Sequence, residues 1–374
     1  MSSTWGKNIR ISVFGESHGT GIGVVLDGFP AGLALDMEQL AAEMARRRPG
    51  TGRHATARLE ADQVEILSGV HNGRTTGAPL CGIIRNTDTK SGDYADLQIL
   101  PRPGHADYTG QVRYGGFNDP RGGGHFSGRL TAPLVFAGEI CRQYLETKGI
   151  TIGSHIQTIH DVIDCPFDPC RVGESELDLL RTMAVPVNDR SCAQNMLDAV
   201  EDARLAMNSL GGIVETAVIG LQPGIGSPMF QNVEARLSSM LFSIPAVKGV
   251  EFGDGFALST MTGSEANDAF YMDNGHVRTR TNHNGGLNGG ITNGMPVVFR
   301  VVVKPTASIF LEQDTVNLET ATDAKLSVKG RHDPCIVIRA VPVLDAATAI
   351  VIMDLLLDSN PVVSYPMAKA RGLQ

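Results

Sequence analysis

Arginine and histidine residues in Gly- and Pro-rich stretches are the side chains of this sequence best suited to chemistry on an anionic ligand. Residues 46–53 (RRRPGTGR) place four guanidinium groups within eight residues of a chain whose formal net charge is -8. Guanidinium forks hold phosphate or carboxylate oxygens through paired hydrogen bonds. The intervening Gly and Pro residues let the backbone fold back so that the forks converge. This run therefore predicts an anion-binding pocket.

Three further stretches carry residues of the same kinds. They are residues 15–19 (GESHG), 101–107 (PRPGHAD) and 329–334 (KGRHDP). His18 or His105 alone would be interpreted as an ordinary solvated histidine. An imidazole beside arginines and a departing oxygen, however, is the expected general acid near pH 7. We predict that the four stretches meet at one site, where an anionic substrate lies against an anionic cofactor.

The GESHG stretch also matches G-x-S-x-G, the nucleophile elbow of serine hydrolases. An elbow requires a strand before the serine and a helix directly after it. Here Gly21 and Gly23 oppose a helix, and residues 22–26 have the pattern of a second strand. We therefore reject a serine hydrolase. A dinucleotide fingerprint is rejected as well, because no helix N-terminus follows to receive a phosphate.

Composition limits the classes of protein. The chain has 374 residues, of which 42% are hydrophobic and 19% charged, as in globular proteins. We expect no membrane partner, because no apolar run approaches the roughly 20 residues of a span, and a cytoplasmic location, because the N-terminus lacks a signal peptide. The six cysteines have no zinc or redox spacing, so we expect reduced thiols and no metal. The acidic balance argues against a nucleic-acid partner.

Apolar periodicity predicts an α+β chain. The predicted strands are residues 9–14, 22–26, 64–67, 79–84, 150–159, 213–221 and 295–303. The predicted helices are residues 37–47 with Asp36 as N-cap, 130–148, 175–182, a helix capped by Ser191 that ends at residues 211–212, 232–242, and 344–357. Residues 88–129 are predicted to form a long structured loop, and such loops usually carry function.

An internal echo suggests two related halves. Residues 73–79 and 290–296 share G-x-T-x-G-x-P, and each leads into a predicted strand. Upstream, both halves run strand, Gly/Pro turn, helix. We predict one domain, residues 1–374, with halves at about residues 9–150 and 210–357 related by a pseudo-twofold axis and a site between them. The alternative is chance, since short Gly/Pro turn motifs recur easily.

Over nearly its whole length the chain resembles the chorismate synthase family. The matching motifs are residues 14–19 (FGESHG), 46–53 (RRRPGTGR), 87–88 (TD), 102–107 (RPGHAD), 291–294 (ITNG), 304–306 (KPT) and 330–335 (GRHDPC). The resemblance implies anti-1,4-elimination of phosphate from 5-enolpyruvylshikimate 3-phosphate to give chorismate, with reduced FMN and no net redox change. It also implies a β-α-β sandwich, with helices between two antiparallel sheets, and a homotetramer.

The resemblance also implies roles for individual residues. Substrate-binding residues would be Arg47, Arg53, Arg102, Arg129 and Arg331. FMN-binding residues would be His125, Phe126, Ser127, Ala246, Gly289, Lys304, Pro305, Thr306, Ala307, Ser308 and Arg331. As catalytic residues, His105 would protonate the departing phosphate, His18 would face the reduced flavin, and Asp333 would relay a proton near the flavin.

One motif departs from the family pattern. Residues 125–131 read HFSGRLT where the family usually has RSSARET, so His125 replaces an arginine and Leu130 a glutamate; Pro245 replaces an asparagine. These changes concern the flavin contacts. They motivate a second hypothesis, a family member that binds flavin or a phosphorylated metabolite without turnover. A third is a nucleic-acid-binding protein that uses residues 46–58, which the net charge disfavours.

The sequence is compatible with two sources of electrons for the flavin. Either NADPH reduces the flavin on this chain, or a separate reductase does. The sequence shows no additional reductase domain, which favours the second.

Overall fold

Eighteen strands and eight α-helices lie in residues 3–48, 62–86, 97–328 and 332–358, the part of the chain that the computed structural model describes. The strands are β1 (Thr4–Trp5), β2 (Arg10–Gly15), β3 (Gly21–Asp27), β4 (Val64–Ser68), β5 (Val70–His71), β6 (Arg74–Thr75), β7 (Leu80–Arg85), β8 (Thr151–Ile159), β9 (Val162–Ile163), β10 (Gly212–Ile219), β11 (Val247–Phe252), β12 (Phe270–Asp273), β13 (His276–Thr279), β14 (Leu287–Asn288), β15 (Ile291–Thr292), β16 (Val297–Val303), β17 (Gln313–Asn317) and β18 (Thr322–Leu326). The helices are α1 (Met37–Arg47), α2 (Asp107–Tyr114), α3 (Thr131–Glu146), α4 (Glu174–Thr182), α5 (Arg190–Leu205), α6 (Val233–Leu241), α7 (Gly263–Ala266) and α8 (Val337–Asp358).

Two five-stranded antiparallel sheets contain ten of these strands. The first has the order β1-β2-β3-β7-β4 and the second β11-β16-β10-β8-β9. In β3 the alternate residues Ile22, Val24 and Leu26 are fully buried, as the two-residue period of a strand requires. The predicted hairpin of residues 9–14 and 22–26 is confirmed as β2 and β3, and the α+β class is confirmed.

The helices α3 and α8 pack against each other in the core. Helix α3 also contacts β3 and β7 of the first sheet, while α8 contacts β8 and β10 of the second. Gly138 on α3 permits this approach, because a Cβ there would lie 2.4 Å from the Cα and Cβ atoms of Ala346 on α8. A side chain at position 138 would therefore push the two helices apart.

Helix α8 corrects two expectations drawn from the sequence. It begins at Val337 rather than at residue 344. Pro342 lacks an amide hydrogen, so in the sequence it indicates a helix boundary, but it lies inside the helix. At 22 residues α8 is also long and apolar enough to cross a membrane, contrary to the expectation that no run approaches that length. Most of α8 is buried against α3 and the second sheet.

The order of elements repeats between the two sheets. Apart from the inserted elements, the first series is β3, α1, β4, the hairpin β5-β6, β7 and α3, and the second is β10, α6, β11, the hairpin β14-β15, β16 and α8. The inserted elements are α2 in the first series and α7, β12, β13, β17 and β18 in the second. Within the sheets, the order β4-β7-β3-β2 corresponds to β11-β16-β10-β8. Both outer pairs contain a register shift, between Ile66 and Ser68 and between Val247 and Gly249. The two G-x-T-x-G-x-P segments thus precede equivalent strands, β7 and β16.

Three local predictions have mixed outcomes. Asp36 is the N-cap of α1, as predicted, and accepts hydrogen bonds from the amides of Glu38 and Gln39. The N-cap of α5 is Asp189 rather than Ser191, and the helix ends at Leu205 instead of residues 211–212. Described residues of the predicted loop 88–129 include α2 and a kinked segment of 3-10 turns at Arg121–Phe126, in which Gly122, Gly123 and Gly124 are not helical. The Gly residues of this segment concealed its helices.

A buried network of charged side chains fixes α1 in place. Glu43 on α1 pairs with Arg46 at 2.8 Å and with Arg181 of α4 at 3.4 Å. On α3, Arg142 donates from Nε to Glu139 at 2.7 Å. Burial raises the pKa of Glu139 to about 8. Because Glu43 joins α1 to α4, the network also holds the end of α1, where Arg47 lies.

Candidate active site

A cavity of about 620 Å³ opens where the C-terminal end of α1, the loops around α2, the segment after β16 and the start of α8 meet. Its described cationic lining residues are Arg47, Arg102, Arg129, Lys304 and Arg339, together with the imidazoles of His105, His125 and His332. Among the described lining residues, Asp333 is the only acidic one. Such an excess of cations predicts anionic ligands, and the volume is that of a pocket for a small organic molecule.

Two of the arginines are held by one buried carboxylate. Asp62 accepts a hydrogen bond from Arg47 Nη1 at 2.6 Å and another, short one from Arg129 Nη1. Arg47 also donates to the hydroxyl of Thr131 at 3.1 Å. Burial by itself would raise the pKa of Asp62, but the two guanidinium groups outweigh it and lower that pKa below its usual value. Asp62 therefore stays ionised and keeps the two forks adjacent.

A second carboxylate joins Arg102 to His105. Asp107, at the start of α2, accepts from Arg102 Nε at 2.7 Å and Nη2 at 2.8 Å, and lies 2.6 Å from His105 Nδ1. Burial opposes ionisation of Asp107, yet the hydrogen bonds from Arg102 and His105 prevail and hold its pKa far below the usual range. Arg102 Nη1 in turn donates to Ser308 Oγ at 2.9 Å.

Three consecutive glycines separate the two predicted catalytic histidines. Gly122, Gly123 and Gly124 all have positive φ angles, of 61°, 85° and 55°. Residues other than glycine rarely adopt such angles. A Cβ at Gly122 would lie 2.5 Å from the ring of His18, and one at Gly123 would lie 3.3 Å from the ring of His105. Gly122 lines the cavity, whereas His18 lies behind it and is 7% exposed.

The segment after β16 forms the facing wall. Residues 304–308 line the cavity, and the backbone amide of Lys304 donates to the carbonyl of Ala246 at 2.9 Å. Lys304 Nζ donates to the carbonyl oxygen of Gly104, which brings this wall against the Arg102 segment. The hydroxyl of Thr306 donates to the backbone carbonyl of Asp333 at 3.0 Å.

Asp333, four residues before α8, is paired through Oδ2 with Nη1 of Arg339 in the first turn of that helix. Arg339 Nε also donates to the backbone carbonyl of Arg47 at 3.0 Å. This contact fastens the end of α1 to the first turns of α8. Residues from early and late parts of the chain consequently form one charged wall.

The positions that depart from the family pattern have ordinary structural roles. His125 Nδ1 donates to the carbonyl of Gly15 at 2.8 Å, and its Nε2 forms a hydrogen bond of 2.8 Å with the hydroxyl of Ser3. Leu130 is 8% exposed and packs in the main hydrophobic core. Pro245 lines the cavity beside Ala246. The chain thus accommodates all three substitutions without leaving the cavity unformed.

The structure brings most of the predicted site residues together at this cavity. Those that line it are Arg47, Arg102, His105, His125, Phe126, Ser127, Arg129, Ala246, Lys304, Pro305, Thr306, Ala307, Ser308 and Asp333. Gly289 is not among the described lining residues; it lies in the turn between β14 and β15, and its neighbour Gly290 packs against Asn232, the N-cap of α6. Ala246 follows the other end of this helix, whose nine residues span about 14 Å. Arg53 and Arg331 lie outside the described residues.

Sequence reasoning missed three residues that shape the site, Asp62, Asp107 and Arg339. Asp107 had a local signal, since it follows His105 by two residues and a carboxylate at that spacing can reach the ring. Asp62 had none, because it lies 15 residues after Arg47 with no periodic pattern between them. Arg339 precedes the predicted last helix, residues 344–357, but it belongs to α8.

One side of the cavity suits a flat apolar group. Ile336, Ala340 and Val343 line it from the start of α8, and Phe242 and Ile244 line it from the end of α6. The cations and the backbone of residues 304–308 face the same space. The arrangement can therefore hold an apolar ring system and several anionic groups at once, next to an imidazole able to donate a proton.

Comparisons with known proteins agree with this geometry. A family profile described as Chorismate synthase matches residues 9–357. A chorismate synthase of Dehalococcoides mccartyi is 45% identical over 96% of this chain and 97% of its own length. One from Thermococcus gammatolerans is 46% identical over 94% and 97%, and one from Synechocystis sp. is 42% identical over 96% and 98%.

A solved structure gives the same answer for the fold. It is described as the crystal structure of chorismate synthase, aligns with a TM-score of 0.74 at 29% identity, and covers 95% of this chain and 93% of its own. Since the profile spans nearly all of the described residues and the relatives match along almost their full length, this chain belongs to the chorismate synthase family.

Proposed function

We propose that this cavity is where the chain carries out the reaction of its family. As a family member, the chain is a carbon–oxygen lyase that converts 5-enolpyruvylshikimate 3-phosphate to chorismate and phosphate in the shikimate pathway to aromatic amino acids, using reduced FMN. The observation that carries the assignment of the cavity is the convergence of five cationic side chains on a single space with one acidic lining residue among those described.

Substrate binding falls to the guanidinium groups. The substrate carries a phosphate and two carboxylates, and planar forks hold such groups through paired hydrogen bonds. Arg47, Arg102 and Arg129 bind these groups, each preoriented by Asp62 or Asp107. Preorientation matters because a buried fork that is already fixed loses little conformational entropy when an anion arrives. The roles of Arg53 and Arg331 rest on the family resemblance.

Proton transfer falls to His105 and Asp333. His105 gives a proton from Nε2 to the departing phosphate oxygen, which lowers the charge on the leaving group as the carbon–oxygen bond breaks. Asp333, across the cavity and paired with Arg339, relays a proton on the side of the cofactor. His18 keeps the role that the family resemblance implies, facing the reduced flavin, and its ring lies against Gly122 of the cavity lining.

The lining residues fit FMN. The apolar side formed by Ile336, Ala340 and Val343 suits an isoalloxazine ring, and Lys304 with the rest of residues 304–308 suits its polar groups and phosphate. His125, Phe126, Ser127 and Ala246 complete the predicted contacts that line the cavity, and Gly289 keeps its assignment from the resemblance alone. When bound, reduced FMN supplies the electron density that helps phosphate leave an allylic carbon.

The finer features of the fold and assembly belong to the same proposal. The two sheets enclose α3 and α8 as a β-α-β sandwich with pseudo-twofold halves, which the contacts of these helices and the repeated strand order support. The chain acts in the cytoplasm as a homotetramer. Light scattering on the purified protein tests the assembly, with a mass near four times 39.8 kDa expected.

The deciding experiment is chorismate formation under anaerobic conditions with photoreduced FMN. Wild-type turnover is expected, with much slower turnover of His105→Ala and Asp333→Ala, both folded by circular dichroism. Asp161→Asn is the control, because Asp161 forms an exposed pair with His160. Tight binding of FMN and substrate without chorismate would favour the non-catalytic hypothesis. A parallel arm with NADPH in place of light tests whether the chain reduces its own flavin.

A further inference from the structure

The carboxylate of Asp107 has four hydrogen-bond donors around it. Oδ2 accepts from the backbone amide of Arg102 at 3.0 Å and from its Nε at 2.7 Å. Oδ1 accepts from Arg102 Nη2 at 2.8 Å and lies 2.6 Å from His105 Nδ1. A carboxylate has about four lone-pair sites, so Asp107 uses its full accepting capacity on two residues of the site.

These contacts decide which nitrogen of His105 carries a proton. Arg102 Nη2 lies 3.1 Å from His105 Nδ1 and would be its donor if Nδ1 were bare. A bare Nδ1, however, would then face a carboxylate oxygen at 2.6 Å, and two acceptors repel at that distance. Nδ1 must therefore hold a hydrogen and donate it to Asp107.

With Nδ1 occupied, Nε2 is left for the reaction. No described residue forms a hydrogen bond with Nε2. The ring lines the cavity, and its Cε1–Nε2 edge lies against Gly123. The side chain is 21% exposed, so the ring reaches the space where the substrate is proposed to bind.

We infer that Asp107 is a positioning residue, which holds His105 with Nδ1 protonated and Nε2 as the atom that gives a proton to the leaving phosphate. The ring begins doubly protonated. The Nε2 proton moves to a phosphate oxygen, the ring keeps its Nδ1 hydrogen on Asp107, and it ends neutral. Asp107 remains a carboxylate throughout. This inference rests on the proposed role of His105.

Replacement of Asp107 by asparagine reverses the pattern. An amide has one oxygen and one NH₂ group, so an oxygen kept on the Arg102 Nε side leaves the NH₂ group facing His105. The ring then accepts at Nδ1 and holds its hydrogen at Nε2, and the doubly protonated form places two hydrogens against each other. The ring can then no longer start doubly protonated, give up its Nε2 proton and end neutral with its hydrogen on Nδ1. In Asp107→Asn, kcat should fall by roughly 10²–10⁴-fold, the range that a general acid contributes.

The test combines kinetics with spectroscopy. Asp107→Asn is compared with wild type, with Asp161→Asn as a control for an exposed aspartate–histidine pair, and with the same substitution in a His105→Ala background. In that background kcat should change less than about threefold, because the atom through which Asp107 acts is gone, while KM still rises through Arg102. An equal loss of kcat in both backgrounds would overturn the inference.

A measurement on the unaltered residues covers the case in which Asp107→Asn does not fold. Solid-state ¹⁵N spectra of histidine-labelled wild-type enzyme, assigned by the signal lost in His105→Gln, are recorded at a pH high enough for the ring to be neutral. They should show that this neutral ring of His105 carries its hydrogen on Nδ1. A neutral ring with its single hydrogen on Nε2 would refute the inference about Asp107. If instead His105→Ala turns over at the wild-type rate, the proposed role of His105 fails, whatever the spectra show.

Discussion

The substitution Asp62→Asn offers the sharpest measure of how the anion site is assembled. Asp62 is 4% exposed and its two partners, Arg47 and Arg129, are 3% and 5% exposed, so all three charges are withdrawn from water. Asparagine keeps the size of the side chain but removes the charge and one of the two acceptor groups. Breaking a buried ion pair by removing one partner costs about 3–5 kcal/mol, and we expect a loss of unfolding free energy in that range.

The assay is equilibrium unfolding by denaturant, with and without 5-enolpyruvylshikimate 3-phosphate. Glu65→Gln is the matched control, because Glu65 pairs with Arg85 at 3.3 Å and both side chains are more than half exposed. Such a surface pair contributes about 0–1 kcal/mol. The substrate should stabilise Asp62→Asn more than wild type, since its anionic groups replace the missing carboxylate beside Arg47 and Arg129.

A loss for Asp62→Asn that does not exceed the control would refute this reasoning. It would mean that the two guanidinium groups are solvated or paired elsewhere once Asp62 is neutral. Equal stabilisation of both proteins by the substrate would show that the ligand does not reach these arginines.

Three further predictions concern the glycines and the buried network. Gly122→Ala should lower kcat, because its Cβ would lie 2.5 Å from the His18 ring, whereas Gly73→Ala, with a similar φ of +72° and open space, should alter stability only; equal kcat values would contradict this. Gly138→Ala should lower the melting temperature strongly, since its Cβ would meet the backbone of α8 at 2.4 Å; an unchanged value would refute the close packing. The pKa of Glu139 is raised from 4.5 to about 8, so the native state holds a proton that the unfolded chain lacks between those pH values. The contribution of this group to the free energy of unfolding therefore falls as pH rises from about 5 to 8. Denaturant titrations at several pH values should show that the free energy of unfolding of Glu139→Gln falls less with pH than that of wild type; an equal fall would contradict the assignment.

Patterns that depend on neighbouring residues were predictable from the sequence. The two-residue period of β2 and β3 and the N-cap at Asp36 are local, because each depends on side chains within a few positions. The meeting of Arg47 and Arg102 at one cavity was also predictable, since arginines clustered with Gly and Pro in an acidic chain need a specific reason.

Features that depend on distant contacts were not. The pairing of Asp62 with Arg129 crosses 67 residues, and no period or spacing encodes such a contact. The early start of α8 was missed because Pro342 normally ends a helix, and tertiary packing against α3 outweighs that preference. The position of Gly289, away from the cavity, depends equally on the folded chain.

The hydrogen bond from Arg339 Nε to the carbonyl of Arg47 has a consequence for how the enzyme matures. It closes a loop of 292 residues, so the ligand-binding wall is complete only after the last helix has docked. A nascent or truncated polypeptide that lacks α8 can present Arg47 but not Arg339, and should bind anions poorly. Substrate and cofactor, which select the finished wall, would then act as ligands that favour maturation by drawing partly docked chains towards the active form.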